Sequence, residues 1–270
     1  MSKRPKLIAT DLDGTIVQYD GTISERTIKA FTKAHAMGIH IYFVTGRPPR
    51  WMDEIRDAFG FGGAICGNGA MLYDLKTSTV TEQWMISSQM QAEVAQRLRI
   101  AIPSISFAIE SHDYYHREKI YVPRWDIGLD NIGVERIEDA IRGPAFKMLA
   151  RCSGGELTSD EMLEIALPEL EGLVTVTHSN ANESLLEISA LGISKGQTLA
   201  KVAARLNIDS SDCISFGDNP NDFSMLQWCG RSYAMADGHP DGVKYSTDVA
   251  GPHQDDGVAI IIEELLKLPA

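Results

Sequence analysis

The apolar positions of this chain fall first into short unbroken runs and then into spaced ones. Leu7-Ile8-Ala9-Thr10 shows no polar alternation, the pattern of a strand buried on both faces of a parallel sheet. Ser24 can cap a helix that carries Ile28, Phe31 and Met37 on one face and stops at Gly38, and Ile39 to Val44 reads as a second strand. Strand, helix and strand in that order make a βαβ unit with a right-handed crossover. Pro48 suits the first turn of another helix, running to about Phe59 before Gly60. Gly63 to Leu72 then leads into a hairpin that joins Met71-Leu72-Tyr73 to Val80-Thr81-Glu82.

From about Trp84 the pattern changes. Ser87 to Ala101 is an amphipathic helix, Ile105 to Ile109 a strand, Ile120 to Val122 a second strand, Glu135 to Ile141 a short helix and Phe146 to Ala150 a third strand. Thr158 and Glu161 form a capping box for a further helix, and Val174-Thr175-Val176 is another strand. The buried-strand pattern resumes with Leu185 to Ile188, followed by a helix from Ser194 through Leu206 that opens on a second capping box, Ser194 with Gln197. Cys213 to Phe216 and Ser232 to Met235 are again strands, and Val258 to Leu268 is a terminal helix. The predicted fold class is α/β: a Rossmann-like doubly wound parallel sheet from residues 1–83 and 186–270, with an inserted α+β domain at residues 84–185.

Composition narrows the class without naming a chemistry. The 270 residues are 44% hydrophobic and 23% charged, ordinary values for a globular chain long enough to bury a large core. A formal charge of −12 opposes non-specific binding to nucleic acid or to an anionic membrane surface. Any phosphate must therefore be bound locally. Cys66, Cys152, Cys213 and Cys229 contain no Cys-x-x-Cys pair, which suggests neither a zinc knuckle nor a disulfide framework and fits a reducing cytoplasm. The basic start Lys3-Arg4-Pro5-Lys6 is followed by an apolar run that Asp11 interrupts too early for a signal peptide. No apolar stretch approaches the roughly 18 residues of a transmembrane helix.

The candidate chemistry lies at the ends of the apolar runs. The first strand runs into Asp11-Leu12-Asp13-Gly14-Thr15, a carboxylate pair on one extended segment; open parallel sheets bind ligands beyond their carboxyl ends. Read alone, these five residues could equally be a solvated Asp-Gly turn. The second strand ends in Thr45-Gly46-Arg47, and the strand at Cys213 runs into Gly217-Asp218-Asn219-Pro220-Asn221-Asp222. Lys195 falls in the first turn of its helix, where the dipole disfavours a cation. Gly67-Asn68-Gly69 is not a dinucleotide fingerprint, because Leu72 stands where the third glycine belongs and a strand follows. The inventory suits a hard cation and a phosphate, with Asp11, Asp13 and Asp218 as oxygen ligands.

Asp11-Leu12-Asp13-Gly14-Thr15, Val44-Thr45-Gly46-Arg47, Lys195 and Gly217-Asp218-x-x-Asn221-Asp222 resemble, in order, the four signatures of the haloacid dehalogenase-like hydrolases. The insert between the second and third looks like the large α/β cap of the Cof-type sugar-phosphatase subfamily, and Asn68-Gly69-Ala70 and Asp256-Gly257-Val258-Ala259 are similar to segments that subfamily also carries. The resemblance implies a phosphoric monoester hydrolase in which Asp11 attacks phosphorus and becomes an aspartyl-phosphate. Asp13 would protonate the leaving alcohol and then deprotonate the water. Thr45, Gly46, Arg47, Lys195 and Asn221 would bind phosphate or substrate. Mg²⁺ would sit among Asp11, the backbone carbonyl of Asp13 and Asp218, with Asp222 as a further ligand or just behind one. The implied partner is a small phosphorylated metabolite, and the oligomeric state is left open.

One segment departs from the subfamily. Where it usually shows Met-Gly-Asn-Ala, this chain reads Ala234-Met235-Ala236-Asp237-Gly238, expected to support the acidic cluster from outside. His112 and His116 have helical i, i+4 spacing and could hold a metal or simply belong to a polar loop. Tyr114, Tyr115 and Trp125 could select a substrate or fill a small core. Arg47 and Arg50 could reach a second anion or begin a solvated helix. Besides a phosphatase, a phosphomutase and a non-catalytic sensor fit parts of the pattern, though a sensor has no need of a nucleophile.

Overall fold

The structure is a computed structural model that describes residues 3–112, 115–123 and 131–269. Two compact units divide the chain, residues 1–82 with 194–270 and residues 83–193.

The first unit begins with β1 (Leu7–Thr10), α1 (Glu25–Ala36), β2 (His40–Val44), α2 (Asp53–Phe59), β3 (Gly63–Cys66), β4 (Met71–Asp74) and β5 (Thr79–Gln83). Ser24 caps α1 by accepting from the Thr27 N–H, and Gly60 ends α2 in the left-handed conformation, so the local stop and start signals act as written. The helix α1 turns a different face inward than its large apolar residues suggest. Thr27, Ala30, Phe31 and Ala34 are buried, whereas Met37 is the exposed C-cap.

The inserted unit contains α3 (Ser88–Ala101), β6 (Ser106–Glu110), β7 (Tyr115–Arg117), β8 (Lys147–Arg151), α4 (Ser159–Leu170), β9 (Val174–Thr177) and β10 (Leu185–Ala190). Its five strands lie in the order β7-β6-β8-β10-β9, antiparallel throughout. Phe107, Ile109, Met148, Leu186 and Ile188 on one sheet face pack with Val94, Leu98, Met162 and Ala166 of α3 and α4. Burying side chains of this size contributes about 1.5–3 kcal/mol each, enough to give the insert its own core. The capping box of α4 is complete, with Thr158 and Glu161 satisfying each other's backbone N–H groups.

Several expectations for the insert are corrected. Leu185 to Ile188 does not rejoin the first sheet: β10 pairs with β8 and β9, and the unit boundary falls after Ile193 rather than at residue 185. The reason is visible in the residues, since Glu187 and Ser189 alternate with Leu186 and Ile188, the period of a strand with one apolar face. Ile120 to Val122 is not a strand. Tyr121 is buried against Ala108 and Tyr115, while Ile120 and Val122 are exposed. The short helix shrinks to a 3₁₀ turn at Ile137–Ala140. His112 and His116 do not share a helix face, because His116 lies in β7 and His112 in the bend before it. Tyr114 and Trp125 lie outside the described residues.

The chain returns with α5 (Lys195–Arg205), β11 (Cys213–Gly217), α6 (Phe223–Trp228), β12 (Arg231–Met235), α7 (Gly242–Tyr245), β13 (Asp248–Ala250) and α8 (Gly257–Leu265). The eight-stranded sheet runs β13-β12-β11-β1-β2-β3-β4-β5. Its strands are parallel from β13 to β3, and β4 runs antiparallel to β3. Helices flank it, α1 packing with α8 and α2, and α5 with α6. Strand register sets where the polar ends come together. Thr10 pairs with both Phe216 and Phe43, and Val44 pairs with Ile65, so the carboxyl ends of β11, β1, β2 and β3 finish level along one edge. No helix of the described residues is long and apolar enough to cross a membrane.

Candidate active site

Each of the level strand ends presents a polar group at the step where the apolar run stops. Asp11 follows β1, Thr45 follows β2, Asn68 follows β3 and Asp218 follows β11. The Asp11 N–H donates to the Phe216 carbonyl at 3.0 Å, extending the parallel ladder one residue past the strand and seating the carboxylate beside the Gly217-Asp218 turn.

Asp11, Asp218 and Asp222 are all buried, and a carboxylate oxygen of each lies within 4.8 Å of the others. Their counter-charge is Lys195, at the first position of α5 and 0% exposed. A cation at that end of a helix is unfavourable. Here it is offset, because the Lys195 ammonium donates to Asp11 Oδ1 at 2.7 Å and to Asp222 Oδ1 at 2.6 Å. Burial alone would lower the Lys195 pKa, and the two carboxylates raise it instead. Asp222 spends its other oxygen on the backbone, with Oδ2 accepting from the N–H groups of Asp218 at 3.0 Å and Asn219 at 3.1 Å.

One ammonium does not balance three buried carboxylates. Burial and the charge of Asp222 push the Asp11 carboxyl up to about 7 against the pull of Lys195, and burial with the charges of Asp11 and Asp222 drives Asp218 well above the usual carboxylate range. A cluster that raises its own acids in this way is short of positive charge. Hard oxygen donors with an unmet negative charge suit a divalent cation.

The cluster is shaped by two glycines. Gly14 has φ +76, and a Cβ there would stand 2.4 Å from Asp218 Oδ2; only glycine gives both the left-handed backbone and the room. A Cβ on Gly238 would meet the Asp218 carbonyl at 2.6 Å, and the His239 N–H donates to that same carbonyl at 2.6 Å. Gly238, at the end of the segment that departs from the subfamily, thus leaves room for the Asp218 backbone, and His239 just beyond it braces that backbone.

Asp13 is separate from the carboxylate cluster. Its exposed side chain is held in a fork by Arg47, at 2.8 Å from Nε and 2.6 Å from Nη2, and Arg47 also pairs with Glu54. Thr45 is buried, and its Oγ1 accepts from the Arg47 N–H at 3.0 Å, leaving the hydroxyl hydrogen free to point elsewhere. Arg50 lies over the Trp51 ring at 5.5 Å. Asn221 donates its amide to Asn68 Oδ1 at 3.1 Å. Sequence reasoning therefore finds the site residues on the right edge but misses two partners. Glu54, a residue of the first turn of α2, carries no signal. Asn68 carries one, as the single side chain between two glycines.

The chain belongs to the haloacid dehalogenase-like hydrolases, whose family model matches residues 8–262. It is thus an enzyme of a hydrolytic family. Among its relatives, the 5-amino-6-(5-phospho-D-ribitylamino)uracil phosphatase YcsE of Bacillus subtilis is 24% identical over 256 residues, covering 94% of this chain and 93% of its own. The solved structure of BT1666 from Bacteroides thetaiotaomicron, a phosphatase of the superfamily, superposes with a TM-score of 0.81 at 22% identity over 97% of this chain and 95% of that one. That of the subclass IIB sugar phosphatase BT4131 does so with a TM-score of 0.77 at 22% identity over 96% and 98%.

Proposed function

We propose that this enzyme is a Mg²⁺-dependent phosphatase that hydrolyses a small phosphorylated metabolite, a sugar phosphate or a similar phosphomonoester, through an aspartyl-phosphate on Asp11. The observation that carries the reading is the buried Lys195 bonded to Asp11 beside Asp218 and Asp222 at the carboxyl edge of a parallel sheet. The substrate class is taken from two relatives, one named for a sugar phosphate activity and one for a phosphoribityl compound.

Asp11 is the nucleophile. Its carboxylate oxygen bonds to phosphorus as the bond from phosphorus to the alcohol oxygen breaks, and the departing oxygen takes a proton from Asp13. Water then gives its proton to Asp13 and attacks phosphorus, releasing inorganic phosphate and restoring the Asp11 carboxylate. Asp13 sits two residues on, past a bend at Leu12, and would act on the opposite side of an in-line displacement from the nucleophile. Thr45 and the backbone at Gly46 would bind the phosphoryl oxygens, and Lys195 would neutralise them. Asp11 and Asp218, with the Asp13 carbonyl, would hold Mg²⁺, which would offset phosphoryl charge. Asp222 acts from behind, orienting Lys195 and the Asp218 backbone.

Phosphate release from a panel of phosphorylated metabolites tests this directly. Turnover should require Mg²⁺, stop with EDTA and fall on the order of 10³-fold or more in Asp11→Asn, the scale of losing a nucleophile. Unchanged turnover in Asp11→Asn would sink the assignment. Products phosphorylated on an added alcohol, with little free phosphate, would instead mark a phosphotransferase.

A further inference from the structure

Among the described residues at the strand edge, Asn68 is the side chain that is both strained and unsatisfied. It has φ +56 and ψ 32 inside the turn Gly67–Gly69, a left-handed backbone that costs a residue with a side chain on the order of 1–3 kcal/mol. It is 2% exposed. Its Oδ1 accepts from Asn221 Nδ2, yet its own Nδ2 and the Oδ1 of Asn221 are buried without a hydrogen-bond partner among the described residues. A buried donor left unmet costs a further 1–3 kcal/mol or so. Glycine at this position would remove both costs but would take away the acceptor of the buried Asn221 amide, so the side chain brings little net stability.

The contacts of the turn indicate what it gains. The Asn68 N–H donates to the Thr45 carbonyl at 3.0 Å, and the Gly67 N–H to the Arg47 carbonyl at 3.0 Å. The Gly69 carbonyl accepts from Thr198 Oγ1 at 2.8 Å, and a Cβ on Gly69 would lie 2.4 Å from the carbonyl of Ser194, the cap of α5. Asn221 immediately precedes Asp222, which grips Lys195. Asn68 is thereby bonded to the loop that presents Thr45 and to the turn that presents Asp222, while its neighbour is packed on the helix start that presents Lys195.

We propose that Asn68 is a positioning residue for phosphoryl transfer, its amide locking the Thr45 loop to the acidic turn through Asn221. The proposal rests on the phosphatase reading. Misplacing groups by an ångström or less can cost up to about 10²-fold in rate, so the lock acts on the spacing between the phosphate contacts and the Lys195–Asp222 pair. It also gives Asn221 a role beyond the one its motif implies, since one of its two amide N–H groups is given to Asn68.

The test is Asn68→Gly, which keeps the backbone conformation and deletes the amide. Three readouts are taken on the full chain: the thermal midpoint, kcat and KM, and the affinity for inorganic phosphate in Mg²⁺ by titration calorimetry. The expected result is a midpoint close to wild type, a kcat lowered roughly 10–100-fold with KM changed far less, and phosphate affinity weakened several-fold. Asn221→Ala should reproduce the kcat loss, and Asn68→Gly/Asn221→Ala should lose no more than either alone. A kcat and phosphate affinity within twofold of wild type in Asn68→Gly overturn the proposal and leave the phosphatase reading intact, as does a loss that tracks a lowered midpoint. A wild type that binds phosphate but turns nothing over overturns the phosphatase reading, and phosphate affinity then still decides the lock. No phosphate binding by the wild type overturns both.

Discussion

In the inserted unit, Glu118 is wholly buried, and its carboxylate is met by Arg99 and by the N–H groups of Phe107 at 3.1 Å and Ile137 at 2.8 Å. Lys147 and Glu187, both buried on the same sheet, pair at 2.9 Å. In the core unit, Lys195 pairs just as closely, but three carboxylates share it and two of them are pushed far up in pKa. Burial of charge is common to both units. What separates them is degree: Glu118 is met by Arg99 and two backbone N–H groups, and Lys147 pairs with Glu187 and stands opposite Glu110 in register, whereas the core's single ammonium faces three carboxylates. A surplus of that kind suits a cation.

The largest effect that could break this comparison comes from removing each lysine. Lys195→Met and Lys147→Met should each destabilise by about 3–5 kcal/mol, the cost of stranding a buried charge. Mg²⁺ should recover a substantial part of the lost thermal midpoint in Lys195→Met, because a cation can replace the ammonium, and none of it in Lys147→Met. Conversely, Lys147→Met/Glu187→Leu should return close to wild-type stability. Equal rescue of both lysine variants by Mg²⁺ would remove the distinction.

A smaller effect concerns pH. Asp11, raised to about 7 in the folded state from an ordinary 3.8, contributes stability that is present below the unfolded pKa and is lost as pH rises through about 7. Cation binding requires the carboxylate, so it counters that loss only where Asp11 is ionised. The rise in thermal midpoint on adding Mg²⁺ should therefore be larger at pH 8 than at pH 6, and Asp218→Asn should flatten the difference. A rise independent of pH would show that the carboxylates are already ionised without the metal.

The smallest effect compares two glycines of like backbone. Gly14, φ +76, has no room for a Cβ beside Asp218, whereas Gly155 of the insert, φ +71, has nothing within 4 Å. Gly155→Ala should cost only the left-handed strain, about 1 kcal/mol. Gly14→Ala should cost about as much again by displacing Asp218 and should also weaken Mg²⁺ binding, measured by the cation's effect on the midpoint. Equal costs and unchanged Mg²⁺ binding would mean that Asp218 moves aside freely.

Much of the site is legible because its signals are local. Asp11, Thr45 and Asp218 each stand where an apolar run ends, and Ser24 and Ser194 accept from the third backbone N–H beyond them as their spacing predicts. The second capping box is only half formed: Ser194 accepts from the Gln197 N–H, while the reciprocal bond is seen in α4 and not in α5. β7 and β13 leave no such signal, since a three-residue strand of polar residues and a partly exposed edge contain no apolar run to read.

The opening strand–helix–strand unit, the capped helices, the acidic turns and the lysine at a helix start were determined by sequence alone, because each depends on residues a few positions apart. Tertiary structure alone decided which strands β10 pairs with, that Asp13 is held by Arg47, and that Asn68 meets Asn221 across 153 positions of chain. The physical reason is the same in all three. Periodicity states which face of an element must be covered, but the covering partner is chosen by strand register and by which charges and amides the register brings within hydrogen-bond reach.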